Sequence, residues 1–321
     1  MNEIYETSSG AGEVSERALK IFRKNKKPGD SLFSSISKAL GLFALSQLFS
    51  MIVVALYFIP KAVNLNDNGF KFDISLESGF FTETFLLIYL ISELFMIAIF
   101  ILYAGFKEKL SPQSLGFVLK KLPVSYFAGG AGAALSMFLL ALICKFTGAM
   151  AFSHAHTNIS LMILFAIGFV IQGLAEEVMC RGFLIAHITR RYSVKTAVIA
   201  SSILFALLHA FNPSGLSVIA VINLFLYGVF ASLMFLYSEN IWLCAGFHTV
   251  WNFTQGNVIG VPVSGIAMPS FFKMTANEDL TLIHGGSFGL EGSIPATVIL
   301  AVGCLFLYFL IKRRTNNKAV Q

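Results

Sequence analysis

Residues 159–190 read ISLMILFAIGFVIQGLAEEVMCRGFLIAHITR. From Ile159 to Ala175 the stretch is almost wholly apolar, and the segment exceeds the roughly 20 residues that a helix needs to cross a bilayer. It then carries Glu176, Glu177 and Arg181. Ionisable groups inside a membrane-length helix are costly and mark function by default. The segment therefore predicts a membrane helix with chemistry at its inner part, and the rest of the chain is read outward from it.

The composition fits. Of 321 residues, 56% are apolar and only 12% charged, and 33 are Phe, whereas a soluble domain carries about 25% charged residues. The net charge is +6. Its basic residues sit in short clusters beside apolar runs, which is a membrane pattern and gives no reason to expect nucleic acid as a partner. Cys144, Cys180, Cys244 and Cys304 lie in or beside apolar segments, so neither a disulfide framework nor a zinc-finger spacing is expected. The first 38 residues are polar, and no cleavable leader is expected.

Eight spans are predicted, at about 39–60, 85–106, 124–144, 159–190, 195–211, 216–237, 241–259 and 295–311. The fold class is thus all-α, a polytopic transmembrane bundle. Its parts are a partly disordered cytoplasmic tail (1–38), three N-terminal helices (39–158), a four-helix core (159–259), an outer loop (260–294) and a last helix with a basic tail (295–321). The connecting segments alternate between basic and basic-poor. Arg17 to Lys38 precede the first span, Lys107 to Lys121 follow the second, Arg190 to Lys195 follow the fourth, and Lys312 to Lys318 close the chain. The positive-inside rule then predicts a multi-pass cell-membrane protein with both termini in the cytoplasm. Gly129 and Ala133 in span three form a small-xxx-small pair suited to close helix packing.

Three short patterns carry chemistry. Adjacent helical residues point about 100° apart, so Glu176 and Glu177 cannot share one task. Glu177 and Arg181 are i and i+4, in the favourable order for an ion pair, which frees Glu176. His209 closes span five. Glu176 lies 14 residues before Arg190 and His209 lies 14 after Lys195, so an antiparallel pair puts both about 21 Å from the turn. His248 and Asn252 in span seven are also i and i+4 and share a face. Taken singly, each pattern also suits interhelical polar packing. His187 lies too far along the axis to join the site, and His154, His156 and His284 are assigned to outer loops. Glu93 and Asn223 are read as structural, Cys180 as packing, and Trp242 as an interfacial anchor.

In this order, EExxxR, FxxxH and HxxxN on successive membrane helices resemble the CPBP or Abi family of intramembrane endoproteases. That family includes the CAAX prenyl-protein endopeptidases and bacterial proteins linked to bacteriocin processing and self-immunity. The resemblance covers about 170–256. The segment 285–292, GGSFGLEG, also looks like a tail of bacterial members. The resemblance implies hydrolysis of a membrane-associated peptide, lipidated or bacteriocin-like, in a cavity among spans four to seven. Glu176 would activate water with help from His209, His248 and Asn252 would stabilise the oxyanion, and Glu177 and Arg181 would support helix four. No cofactor is favoured. Glu176, His209 and His248 plus water would also suit zinc, although the chain has no HExxH. The alternative function is a non-catalytic self-immunity or membrane binding protein on the same fold. The 260–294 loop is read as a cap on the outer side.

Overall fold

In a computed structural model, residues 30–66, 69–72, 83–209, 212 and 217–319 are described. The N-terminal tail through residue 29 and most of the acidic loop after span one lie outside them. The fold is a helical polytopic bundle. Helices occupy all eight predicted intervals: α1 Leu32–Ala62, α2 Glu83–Ser92 with α3 Leu94–Phe106, α4 Leu122–Phe146, α5 Ile159–Glu177, α6 Val194–Leu208, α7 Val218–Ser238, α8 Trp242–Phe253 and α9 Ile294–Ala319. Among the described residues, six helical segments are long and apolar enough to cross a membrane, and α6 is apolar but shorter. The first helix begins at Leu32, seven residues before the predicted start. Ser31 explains the shift, because its hydroxyl accepts the Ser34 N–H and caps the helix there. Lys38, expected in the tail, is consequently helical.

Side chains sort as lipid requires. Large apolar groups such as Phe127, Phe138, Phe146, Leu56 and Val302 are exposed, Phe146 by 82%. Ser35, Ser46, Ser201, Ser232, Asn223 and Asn252 are instead buried. Ser193 and Ser217 cap α6 and α7 by accepting the Thr196 and Ala220 N–H groups. Two antiparallel ribbons complete the chain, β1 Val63–Asn66 with β2 Gly69–Phe72 and β3 Met150–His154 with β4 Phe272–Ala276. The second ribbon ties the 260–294 segment to the entrance of α5. All four cysteines are free.

The α4–α8 seam fixes the interior. A Cβ on Gly129 would run into the Leu243 carbonyl oxygen, and one on Gly246 into that of Tyr126. The two backbones touch where side chains would have held them apart, as in small-residue membrane packing. Gly173 does the same for α5 against Thr249 on α8. Trp242 is part of this interior, not an interfacial anchor. It is buried, it stacks edge-on with Phe117, and its indole donates to the Val118 carbonyl.

At one end of the bundle lies a charged network. Lys38 donates to Asp30 (2.5 Å) and to Glu108 (2.9 Å), and Arg190 donates to Glu108 (2.7 Å). His187 Nδ1 contacts the Ser35 hydroxyl, while its Nε2 lies 3.3 and 3.4 Å from the two carboxylates. Burial pushes the Glu108 carboxyl up, but hydrogen bonds from Lys38 and Arg190 outweigh it and hold the group at about 2. The network staples α1 to the ends of the second and fourth spans.

Candidate active site

Two of the three motif helices change their winding beside the motif. α5 continues as a π-helix over Val178–Ile185, and α8 as a π-helix over Thr254–Ile259. Such turns are found often at functional sites. Glu176 and Glu177 stand at the last α-helical positions before the first of them.

The two glutamates separate as their angular spacing predicts. Glu177 is fully buried and pairs with Arg181 at 3.1 Å. Arg181, equally buried, also donates to the Gly228 carbonyl and lies 4.9 Å from the Phe205 ring centre. Glu177 makes a further contact that the sequence does not reveal: its Oε1 accepts from His248 Nδ1 at 2.9 Å. That bond fixes the tautomer and turns His248 Nε2 toward Glu176. The Nε2 to Glu176 Oε2 distance is 3.7 Å, too long for a direct hydrogen bond. Glu176 Oε2 has no partner.

Gln172, one turn before Glu176, organises the rest. It donates to Glu176 Oε1 at 2.5 Å and accepts from Asn252 Nδ2 at 3.1 Å. Its position at i−4 was the available signal, because that spacing puts it on the Glu176 face. His209 caps α6 and donates from Nδ1 to the Phe205 carbonyl at 2.8 Å, leaving Nε2. Tyr227 stands edge-on to His248, 5.2 Å between ring centres, with a buried hydroxyl that has no partner.

Glu176, His209, His248 and Asn252 all line one cavity of about 170 Å³, room for several waters. The cavity is wider than spans four to seven. Tyr89 and Glu93 from the second span form part of its wall, as do Ser264, Met268 and Glu291 from the 260–294 segment. Glu93 keeps a neighbour, Gln47, while lining the wall. Asn223 keeps its structural role while lining the wall, since it donates to the Glu291 and Ser293 carbonyls. Glu291 anchors the segment over the cavity by accepting from Trp251 Nε1, Ser264 N and Ser264 Oγ. His187 lies in the distant charged network, His154 and His156 are exposed, and His284 is buried on the Asn277 carbonyl.

Among the described residues, the set of three acidic or imidazole groups with ligand atoms all within 4.8 Å is Asp30, Glu108 and His187. Lys38 and Arg190 already supply its positive charge. Glu176, His209 and His248 do not form such a set as arranged.

Residues 157–254 match the family model described as type II CAAX prenyl endopeptidase Rce1-like. The matched segment contains all three motifs, and it is the family that those motifs resemble. No curated protein matched the chain.

Proposed function

We propose that this CAAX protease-like membrane protein is an intramembrane endopeptidase in which Glu176 activates water. The observation that carries the reading is the division of labour between adjacent glutamates. Glu177 is spent on Arg181 and His248, while Glu176 keeps an unpartnered oxygen beside a cavity large enough for water.

Each step uses a group already aimed. Water enters between Glu176 and His209, and Glu176 takes its proton as the oxygen attacks the scissile carbonyl. His209 is positioned by its Nδ1 bond to Phe205 and offers Nε2 to the same water. The carbonyl oxygen gains negative charge, which Asn252 meets with an amide N–H. His248 meets it with a second proton on Nε2, the ring charge being balanced by Glu177. The Glu176 carboxyl then returns its proton to the leaving nitrogen, and the carbon–nitrogen bond breaks. Gln172 holds Glu176 and Asn252 in register throughout. No step is routed through a metal, although Glu176, His209 and His248 have the donor chemistry that zinc accepts. The substrate is a peptide that partitions into or is tethered to the bilayer, since the cavity lies among membrane helices. On this reading the basic clusters put both termini on the cytoplasmic side.

The test uses purified protein in lipid nanodiscs and a quenched fluorescent library of apolar peptides. Cleavage by the wild type that is lost in Glu176→Gln and in His209→Ala, and that survives a strong chelator, supports the mechanism. Cleavage abolished by the chelator moves the chemistry to a metal. A cellular activity indifferent to Glu176→Gln in a folded protein favours the self-immunity reading.

A further inference from the structure

The cavity has a second acidic wall that the hydrolytic mechanism leaves unused. Glu93 occupies the one-residue break between α2 and α3 and is only 3% exposed. Its Oε1 accepts from Gln47 Nε2 at 3.1 Å, and Gln47 in turn accepts from the Tyr89 hydroxyl at 3.1 Å. Its Oε2 is buried with no partner. A polar atom left so in a native interior costs free energy comparable to a lost hydrogen bond. Glu93 and Glu176 line the same cavity, and Glu176 Oε2 is unpartnered too. Among the described lining residues there is no Lys or Arg. Arg181 stands behind Glu177 and is committed to it and to Gly228. Two buried acceptors thus flank a cavity whose described lining holds no Lys or Arg, near the aromatic side chains of Tyr89, Phe169 and Trp251.

We propose that Glu93 is a specificity-determining residue that receives a cationic nitrogen of the substrate, an ammonium or guanidinium, beside the scissile bond. This rests on the peptidase reading above and names its substrate class: apolar peptides with a basic side chain or a free amino end at that point. A cation there gives Glu93 Oε2 its missing donor. The aromatic side chains nearby favour the same charge. A substrate carboxylate would instead bring a further negative charge beside Glu93, where no Lys or Arg lines the cavity to meet it.

The experiment measures binding and cleavage separately, with the full chain in nanodiscs. The probes are fluorescent apolar peptides scanned with a single Lys, norleucine or Glu, each made with a free and an acetylated amino end. The expected result for the wild type is at least about tenfold tighter binding of one Lys peptide than of its norleucine partner, with Glu weakest. In Glu93→Gln the Lys preference shrinks to within about twofold. A merely structural Glu93 would weaken all peptides alike. A preference for Lys that acetylation leaves intact makes the cation a side chain; a preference for the free over the acetylated amino end, with Lys and norleucine equal, makes it an amino terminus. Equal wild-type affinity for Lys, norleucine and Glu peptides that acetylation also leaves unchanged overturns the proposal without need of a variant, and so does either preference persisting in Glu93→Gln. Selective binding without cleavage sinks the peptidase reading but leaves the acidic subsite. Glu176-dependent cleavage without charge preference does the reverse.

Discussion

Two charged clusters share the rod formed by α5 and its continuation, and they are short of opposite things. At the His187 end, the buried polar atoms without partners are nitrogens, those of His187 and Arg190. In and behind the cavity wall they are chiefly oxygens, those of Glu93, Glu176, Glu177 and Tyr227, against one Arg181 nitrogen. Asp30 and Glu108 are saturated by Lys38 and Arg190, whereas Glu176 and Glu93 line the cavity with one oxygen each unpaired. A saturated ion network holds helices together, and a cluster with surplus acceptors beside a cavity is arranged for something that enters. The same residue types, some 16 Å apart along one rod, therefore serve attachment at one end and chemistry at the other.

The contrast is sharpest if one glutamate is neutralised in each cluster. Glu176→Gln is expected to lower kcat by about 10²–10⁴ with little change in melting temperature, as loss of a general base does. Glu108→Gln is expected to lower the melting temperature while kcat of the folded fraction is kept. A kinetic defect in the second variant, or a melting defect without a kinetic one in the first, would erase the distinction. Next in size, Asn252→Ala is expected to reduce kcat by about 10²–10³ with KM nearly unchanged, because its amide meets charge that develops only in the transition state. Parallel losses in KM would mark Asn252 as a substrate contact instead.

Arg181→Ala tests whether the cavity cluster has a structural floor. It leaves Glu177 buried with only the His248 bond, and the expected loss of stability is about 3–5 kcal/mol, read by denaturant or thermal melts in mixed micelles. A change below about 1 kcal/mol would mean that the Glu177–Arg181 pair is not the support it is taken to be. The smallest effect concerns pH. Glu108 is held at about 2, below its usual value of 4.5. Its contribution to stability is therefore complete above about 4.5 and is lost as pH falls toward about 2. The gap in melting temperature between wild type and Glu108→Gln should close over that window on acidification. A gap that widens would reverse the sign of the argument.

Hydropathy made the bundle legible because each span must satisfy its backbone internally, which ties apolar length directly to helix. The Glu177–Arg181 pair was legible because it is local to one helix, and the freedom of Glu176 followed by angle. What the sequence hid is what crosses between segments. The His248 Nδ1 bond to Glu177 joins residues 71 apart in the chain, and no periodicity within either helix encodes it. The Glu291 anchor on Trp251 and Ser264 depends on how a loop folds back, and Glu93 gains its place from a one-residue break in span two. The π turns were equally silent, since winding is set by neighbours and not by composition.

The shortness of α6 has its own consequence. Its 15 residues rise about 22 Å, roughly 8 Å less than the hydrocarbon thickness of an ordinary bilayer. Ile199, Ile203 and Leu207 on its exposed side face the acyl chains directly. Lipid beside a short helix thins to match it, so on the membrane-spanning reading of α6 the leaflets would draw together beside it and bring headgroup water toward His209. A peptide whose backbone must leave its own helical hydrogen bonds to be cut would meet the lowest barrier to doing so at that dimple.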